Sequence, residues 1–304
     1  TELSAILIVT GLITLAVLLI WPVQQAMVRR QVFRREPLLS LLVWQAVSLA
    51  AVLSLLAAGP VAILLTRDVV DESRHRVITG IALAVTIGLL VRLAVAGHRV
   101  GSTLRRTRRQ HRDLLEIVGR AFDELDRPSP RSVRVIEHAT PTAYCIPGVR
   151  TRVVISTGML ARLAPPEVDA VLAHERSHVR GRHDLLVEFF TVLHTAMPAR
   201  LRQDAVLAEV HLLAEVVADR AAARTVGPVP MGRALVALAN SAHPAATLGA
   251  VPATHTTQVR LSLLGLADRR SWAMVAIMLG YALLAVTAPM TVVLVSSAVF
   301  GMIR

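Results

Sequence analysis

His174, Glu175 and His178 form the pattern H-E-x-x-H inside a run that reads as helical from Pro166 onward. On a helix, residues four apart share a face, so both imidazoles can point at one ion. Glu175 then stands beside that ion, placed to take a proton from water. The chemistry such a set performs is metal-assisted hydrolysis. The plain alternative is a charged surface helix that happens to carry two histidines.

Catalytic zinc takes three protein ligands and keeps one position open. Glu215 lies 41 residues after His174, in the run Glu215-Val216-Val217-Ala218-Asp219. Glu215 and Asp219 are four apart and share a face, so Asp219 can accept a hydrogen bond from a ligand histidine and fix its ring. The flanking Leu212, Leu213, Val216 and Val217 turn Glu215 toward a packed interior. Asp184 is the competitor. The longer pattern H-E-x-x-H-x-x-G-x-x-D would use Gly181 to break the helix and bring Asp184 to the ion. E-x-x-x-D on a following helix is the more complete pattern, so Glu215 is preferred, and Asp184 becomes a structural acid near the end of the zinc helix. His183 is nine residues after His174 and falls on the opposite face of a continuous helix. His194 and His211 read as packing or surface residues. His255, in a Thr-rich loop before Val259–Leu264, is a candidate substrate contact.

These residues need elements to hold them. Pro165-Pro166-Glu167 is a helix start, with proline in the first turn and an acid near the positive end. Val168, Val171, Leu172 and Ala173 give that helix an apolar side. Further helices are expected from His183 to about Ala196, stopped by Pro198, and from Gln203 to Thr225, stopped by Gly227-Pro228. Ahead of them, Ser132–Glu137 and Arg152–Ser156 read as two strands joined through Thr140–Gly148. Arg105–Leu125 reads as an amphipathic helix with Leu114, Leu115, Val118, Phe122 and Leu125 on one stripe, ended by Pro128-Ser129-Pro130.

The remaining sequence is too apolar for an ordinary soluble domain: 54% of the 304 residues are hydrophobic and only 3% aromatic. Four runs have the length and composition of membrane spans: Leu3–Val28, 38–66 within the uncharged stretch Pro37–Thr66, Val77–Gly97, and a fourth within 271–304. The first has no basic stretch before it and no cleavage site after it, so a signal peptide is not expected. Gly59-Pro60 is expected to kink or end the second helix. Arg92, near the end of the third, reads as snorkelling to the headgroups.

All 33 basic residues are arginine, and the net charge is +12. Arg29, Arg30, Arg34 and Arg35 follow the first run, and Arg99 to Arg112 supply six more after the third. The positive-inside rule makes those loops cytoplasmic, so the region 98–270 faces the cytosol in a plasma membrane. The arginines lie beside apolar runs without interleaved aromatics. Membrane lipid, not nucleic acid, is therefore the expected partner. The single cysteine, Cys145, excludes an intrachain disulfide.

With the spans, H-E-R-S-H and E-V-V-A-D together, the chain resembles the BlaR/MecR family of integral-membrane zinc peptidases, and the related HtpX and CAAX-processing proteases. The resemblance covers most of the chain. It implies a mainly α, polytopic membrane protein: three transmembrane helices in 1–97, a cytosolic α+β gluzincin-like peptidase domain in 98–270, and a fourth span in 271–304. It implies Zn2+ held by His174, His178 and Glu215, with Glu175 as general base and Asp219 supporting a ligand. It also implies an edge strand within Thr142–Ile155 that pairs with extended substrate, with Ala143–Ile146 lining the cleft. The implied substrate is a cytosolic protein, a BlaI-type transcriptional repressor, cleaved in signal transduction, with a homo-oligomer conceivable. Antibiotic-sensing members carry an outer penicillin-binding domain after the fourth span; none is expected here. The rival readings are an HtpX-like quality-control protease and a proteolytically silent membrane receptor.

Overall fold

The computed structural model describes residues 2–118, 120–121, 133–146, 152–239, 253–265 and 272–301. In chain order, α1 (Glu2–Leu18) passes through a π-helical turn at Leu19–Val23 into α2 (Gln24–Arg29). Pro22 lies in that turn. Proline has no N–H for the helical ladder, and a wide turn accommodates the gap. The single-turn α3 (Val32–Arg35) leads to α4 (Pro37–Thr66) and then α5 (Glu72–Val118).

Strands β1 (Arg120–Ala121), β2 (Val133–Ile136), β3 (Ala143–Ile146) and β4 (Arg152–Ser156) follow. Then come α6 (Thr157–Arg162), α7 (Pro165–Arg180), α8 (His183–Ala196), α9 (Asp204–Val226), α10 (Pro228–Leu238), α11 (Ala253–Leu264) and α12 (Trp272–Gly301). The chain is mostly helical with one small sheet, and it divides into two compact units, 1–96 with 271–304, and 97–270.

Among the described residues, four helices are long and apolar enough to cross a membrane: Glu2–Arg29, Pro37–Thr66, Glu72–Leu115 and Trp272–Leu294. The first three contain the runs expected from the sequence, and the fourth lies within the run expected in 271–304. α4 packs on both α1 and α12, with Leu12, Leu41 and Trp44 fully buried among them. Of the two outcomes expected at Gly59-Pro60, a kink or an end, the end does not occur: α4 continues to Thr66. Pro60 forgoes one backbone bond, whereas ending the helix inside an apolar run would leave several carbonyls without partners. Gly59 is needed for another reason. A Cβ there would run into Thr86 Oγ1 and come within 3.0 Å of the Ala82 carbonyl, so glycine lets α5 come close to α4.

In the second unit the sheet has the order β1-β2-β4-β3. β2 and β4 pair in parallel, Val133 opposite Val153, while β3 runs antiparallel to β4 with Tyr144 opposite Val154. The two expected strands are therefore joined by a connection that itself supplies an edge strand. Side chains alternate faces along a strand. Val133, Val135, Ala143, Val153 and Ile155 pack on Val168, Val171 and Leu172 of α7. On the other face Tyr144, Ile146 and Val154 pack on Leu115 of α5. Each such buried valine, leucine or isoleucine contributes about 1.5–3 kcal/mol of transfer free energy.

α7 is thus sheathed by the sheet on one side. On the other, its Ala170 meets Ala222 of α9, Met231 and Leu235 of α10 and Leu264 of α11. One boundary differs from the sequence reading. α5 ends at Val118, not Leu125, because Arg120 and Ala121 leave the helix to pair with Val135 and Arg134. Phe122, Leu125 and Pro128-Ser129-Pro130 lie outside the described residues.

Candidate metal centre

α7 starts as its sequence demands. Pro165 and Pro166 occupy positions whose N–H groups would have no helical partner, and the Glu167 carboxylate accepts the Ala164 N–H at 2.9 Å. From that start, helical register carries Val168, Val171 and Leu172 to the sheet side and brings Glu175 onto the same stripe. His174 and His178 fall on the neighbouring stripe toward α9. All three are held close: His174 and Glu175 are buried and His178 is partly so.

α9 completes the centre. Glu215 reaches the two histidines, with its Oε2 3.4 Å from His174 Nε2 and its Oε1 3.3 Å from His178 Nε2. The two Nε2 atoms are 3.1 Å apart. The three donor atoms lie within 4.8 Å of one another. Zinc–ligand distances of about 2.0–2.2 Å in a tetrahedron put neighbouring donors about 3.4 Å apart. Two imidazoles and a carboxylate at this spacing are the donor set and the size that zinc takes.

The nitrogens facing away from the centre are also engaged. His174 Nδ1 is 2.9 Å from Oδ1 of the buried Asp219 on α9. His178 Nδ1 is 2.9 Å from His183 Nδ1.

A family model for peptidase family M48 matches residues 108–264, from the second half of α5 to the end of α11, and contains the whole centre. The chain belongs to peptidase family M48. M48 peptidases are metallopeptidases and are generally zinc-dependent. No curated protein and no solved structure matches the chain.

Two members of the M48 centre were not visible in the sequence. The first is Arg260 of α11. Its Nε and Nη2 donate to the two Asp219 oxygens at 2.8 and 2.7 Å, and its Nη1 is 3.0 Å from Glu215 Oε2. The Thr-rich segment read as a loop is helical from Ala253, which places Arg260 on a rigid element; the His255 side chain lies outside the described residues. A charge count carries the only signal for Arg260. Glu175, Glu215 and Asp219 bring three negative charges to one buried region. Arg260 and a divalent cation bound there would balance them, three against three. Burial alone would raise the Glu215 carboxyl; Arg260 and then His178 outweigh it and hold it well below the usual range. Asp219 is lowered in the same way, burial again opposing and Arg260 prevailing. Burial also works against charge on His174, but Asp219 and Glu215 raise its pKa to about 10, so a proton has to leave this ring when a metal binds.

The second is His183. A continuous helix would have carried it to the far face, but α7 stops at Arg180 and α8 starts at His183. Arg182 between them takes a left-handed conformation with φ +48°. The reversal swings His183 back against His178, ring centroids 4.9 Å apart. Burial first, and then the neighbouring His178, push its pKa down to about 4. Gly181 does break the helix, as the competing pattern required, yet Asp184 goes elsewhere: its Oδ2 pairs with Arg108 of α5 at 3.4 Å.

The other candidates sit apart in role. His194 Nε2 pairs with Asp204 Oδ1 at 2.7 Å and ties α8 to α9. His211 is partly buried one turn before Glu215, its pKa lowered by burial. Cys145 of β3 lies near Glu175; burial first, then that carboxylate, push its thiol pKa up, so it is held as a neutral thiol.

Proposed function

We propose that the chain is a zinc endopeptidase of the plasma membrane that hydrolyses a peptide bond in a cytosolic protein. The observation that carries this reading is the meeting of His174, His178 and Glu215 within 4.8 Å, beside Glu175, in an M48 chain. His174 and His178 through Nε2, and Glu215 through its carboxylate, would hold the zinc. Bound there, zinc supplies Lewis acidity that polarises a carbonyl and acidifies water.

The protein's own groups do the rest. Glu175 takes the proton of the attacking water and passes it to the leaving amine. Asp219, with its Oδ1 2.9 Å from His174 Nδ1, favours a proton on that nitrogen and so leaves the Nε2 lone pair facing inward. Arg260 pins Asp219 and Glu215 together and offsets their charge. Among the described residues the edge strand β3 is bonded to β4 on one side only, and an extended peptide can add to its outer edge, near Glu175.

Four apolar helices support a multi-pass membrane protein, and the arginine-rich segments after the first and third support a peptidase domain in the cytosol. The substrate class is a BlaI-type transcriptional repressor, by resemblance to membrane peptidases of the BlaR/MecR type. The test is a cleavage assay with co-expressed cytosolic repressors. Wild type yields one defined product, and Glu175→Gln yields none while still binding one zinc. Proteolysis retained by purified Glu175→Gln removes the base assignment. Many products from unrelated membrane proteins, in place of one, make the enzyme a quality-control protease of the HtpX kind.

A further inference from the structure

We infer that His183 is a positioning residue for the metal centre, accepting a hydrogen bond from His178 Nδ1–H and so fixing which nitrogen His178 offers to the ion. This inference rests on the zinc reading of His174, His178 and Glu215, and deepens it.

His178 Nε2 is 3.1 Å from His174 Nε2 and 3.3 Å from Glu215 Oε1, so Nε2 is its ligand atom. A neutral imidazole carries one proton, so a ring that offers Nε2 as a lone pair must carry its hydrogen on Nδ1. That N–H is partly buried and needs an acceptor. The atom facing it, at 2.9 Å, is His183 Nδ1. His183 must then hold its own hydrogen on Nε2. The hydrogen on one ring thus dictates the hydrogen on the next.

The backbone is built for this contact. His183 is the first residue of α8 and is buried, and the left-handed Arg182 turns it back. Gly181 provides the space. A Cβ on Gly181 would lie 2.5 Å from His183 Nε2 and 2.7 Å from His183 Cδ2. The backbone of Gly181 is ordinary right-handed helix, φ −78°, so glycine is not needed there for conformation. It is needed so that the imidazole can lie where it does. Next door, Asp184 sits in the first turn of α8 and pairs with Arg108, which fixes the helix end that presents His183.

The test measures zinc affinity of the full-length chain in detergent by competition with a chelator, and the visible absorption of the Co2+-substituted protein. His183→Ala and His183→Leu weaken zinc about 10- to 100-fold, the usual effect of losing such a support, and shift the Co2+ spectrum. His183→Asn places an oxygen on Cγ, close to where Nδ1 stands, and restores affinity to within about threefold of wild type. Gly181→Ala keeps the imidazole but displaces it, and weakens zinc several-fold. Zinc affinity unchanged in both His183→Ala and His183→Leu overturns the inference. So does a His183→Asn variant as weak as His183→Leu, because that pattern belongs to packing rather than to an acceptor. If wild type and His174→Ala bind zinc equally poorly, the zinc reading itself falls and takes this inference with it.

Discussion

The two sides of the metal centre are held by different physics. On the α9 and α11 side, His174 is backed by Asp219, and Asp219 by a two-pronged contact with Arg260 that also reaches Glu215. Every link there is ionic, with His174 and Asp219 buried and Arg260 and Glu215 partly so. On the α8 side, His178 is backed by a neutral imidazole, held by a left-handed residue and a glycine-sized gap. The first side is fixed by charge and fails abruptly when one partner is removed. The second is fixed by shape and fails by degrees. A buried charge has no cheap alternative partner, whereas a displaced ring still makes some contacts.

Removing the ion has the largest effect. Chelation of wild type abolishes cleavage, and lowers thermal stability by about 4 kcal/mol when zinc had been present at a thousandfold its dissociation constant. Glu215→Ala shows no such chelator-dependent drop in a melting experiment. Next is Arg260→Ala, which leaves Asp219 and Glu215 without their counter-charge and costs about 3–5 kcal/mol by denaturant or thermal unfolding. Zinc added to that variant recovers part of the loss, since it brings positive charge to the same carboxylates. Asp219→Asn keeps shape and removes the anion; it lowers zinc affinity about 10- to 100-fold in a chelator titration. The smallest effect belongs to the α8 side. Arg108 and Asp184 are about one-fifth exposed, at 20% and 22%, so Arg108→Ala costs no more than about 1 kcal/mol and moves zinc affinity only a few-fold. A loss from Arg108→Ala as large as that from Arg260→Ala would erase the distinction.

The same division explains what could be read from the sequence. The start of α7 at Pro165, the extent of α9 close to Gln203–Thr225 and the four apolar helices follow from local rules: proline placement, one-turn spacing and hydropathy. The meeting of His174, His178 and Glu215 was foreseeable because the sequence puts each acid or imidazole on a helix whose apolar face was legible. Arg260 was not, because an arginine among 33 gives no sign of which carboxylate it will find across 41 residues of chain. His183 was missed because its place depends on two backbone angles at the α7–α8 reversal. The strands β2 and β4 were legible as strands, but their parallel pairing was not, since β3 intervenes in sequence and lies at the edge in space.

β3 has one further consequence. Among the described residues it has four residues and a single free edge, so on the proposed reading a substrate would add there only as a chain that is already extended and has surrendered its own backbone bonds. A target folded tightly around its scissile bond cannot do this until that segment opens. The rate of cutting then follows the population of the locally opened target when opening and closing are fast. Selectivity of this kind is written in the stability of the target as much as in the peptidase, and a ligand that loosens or tightens the target would tune its cleavage without touching the enzyme.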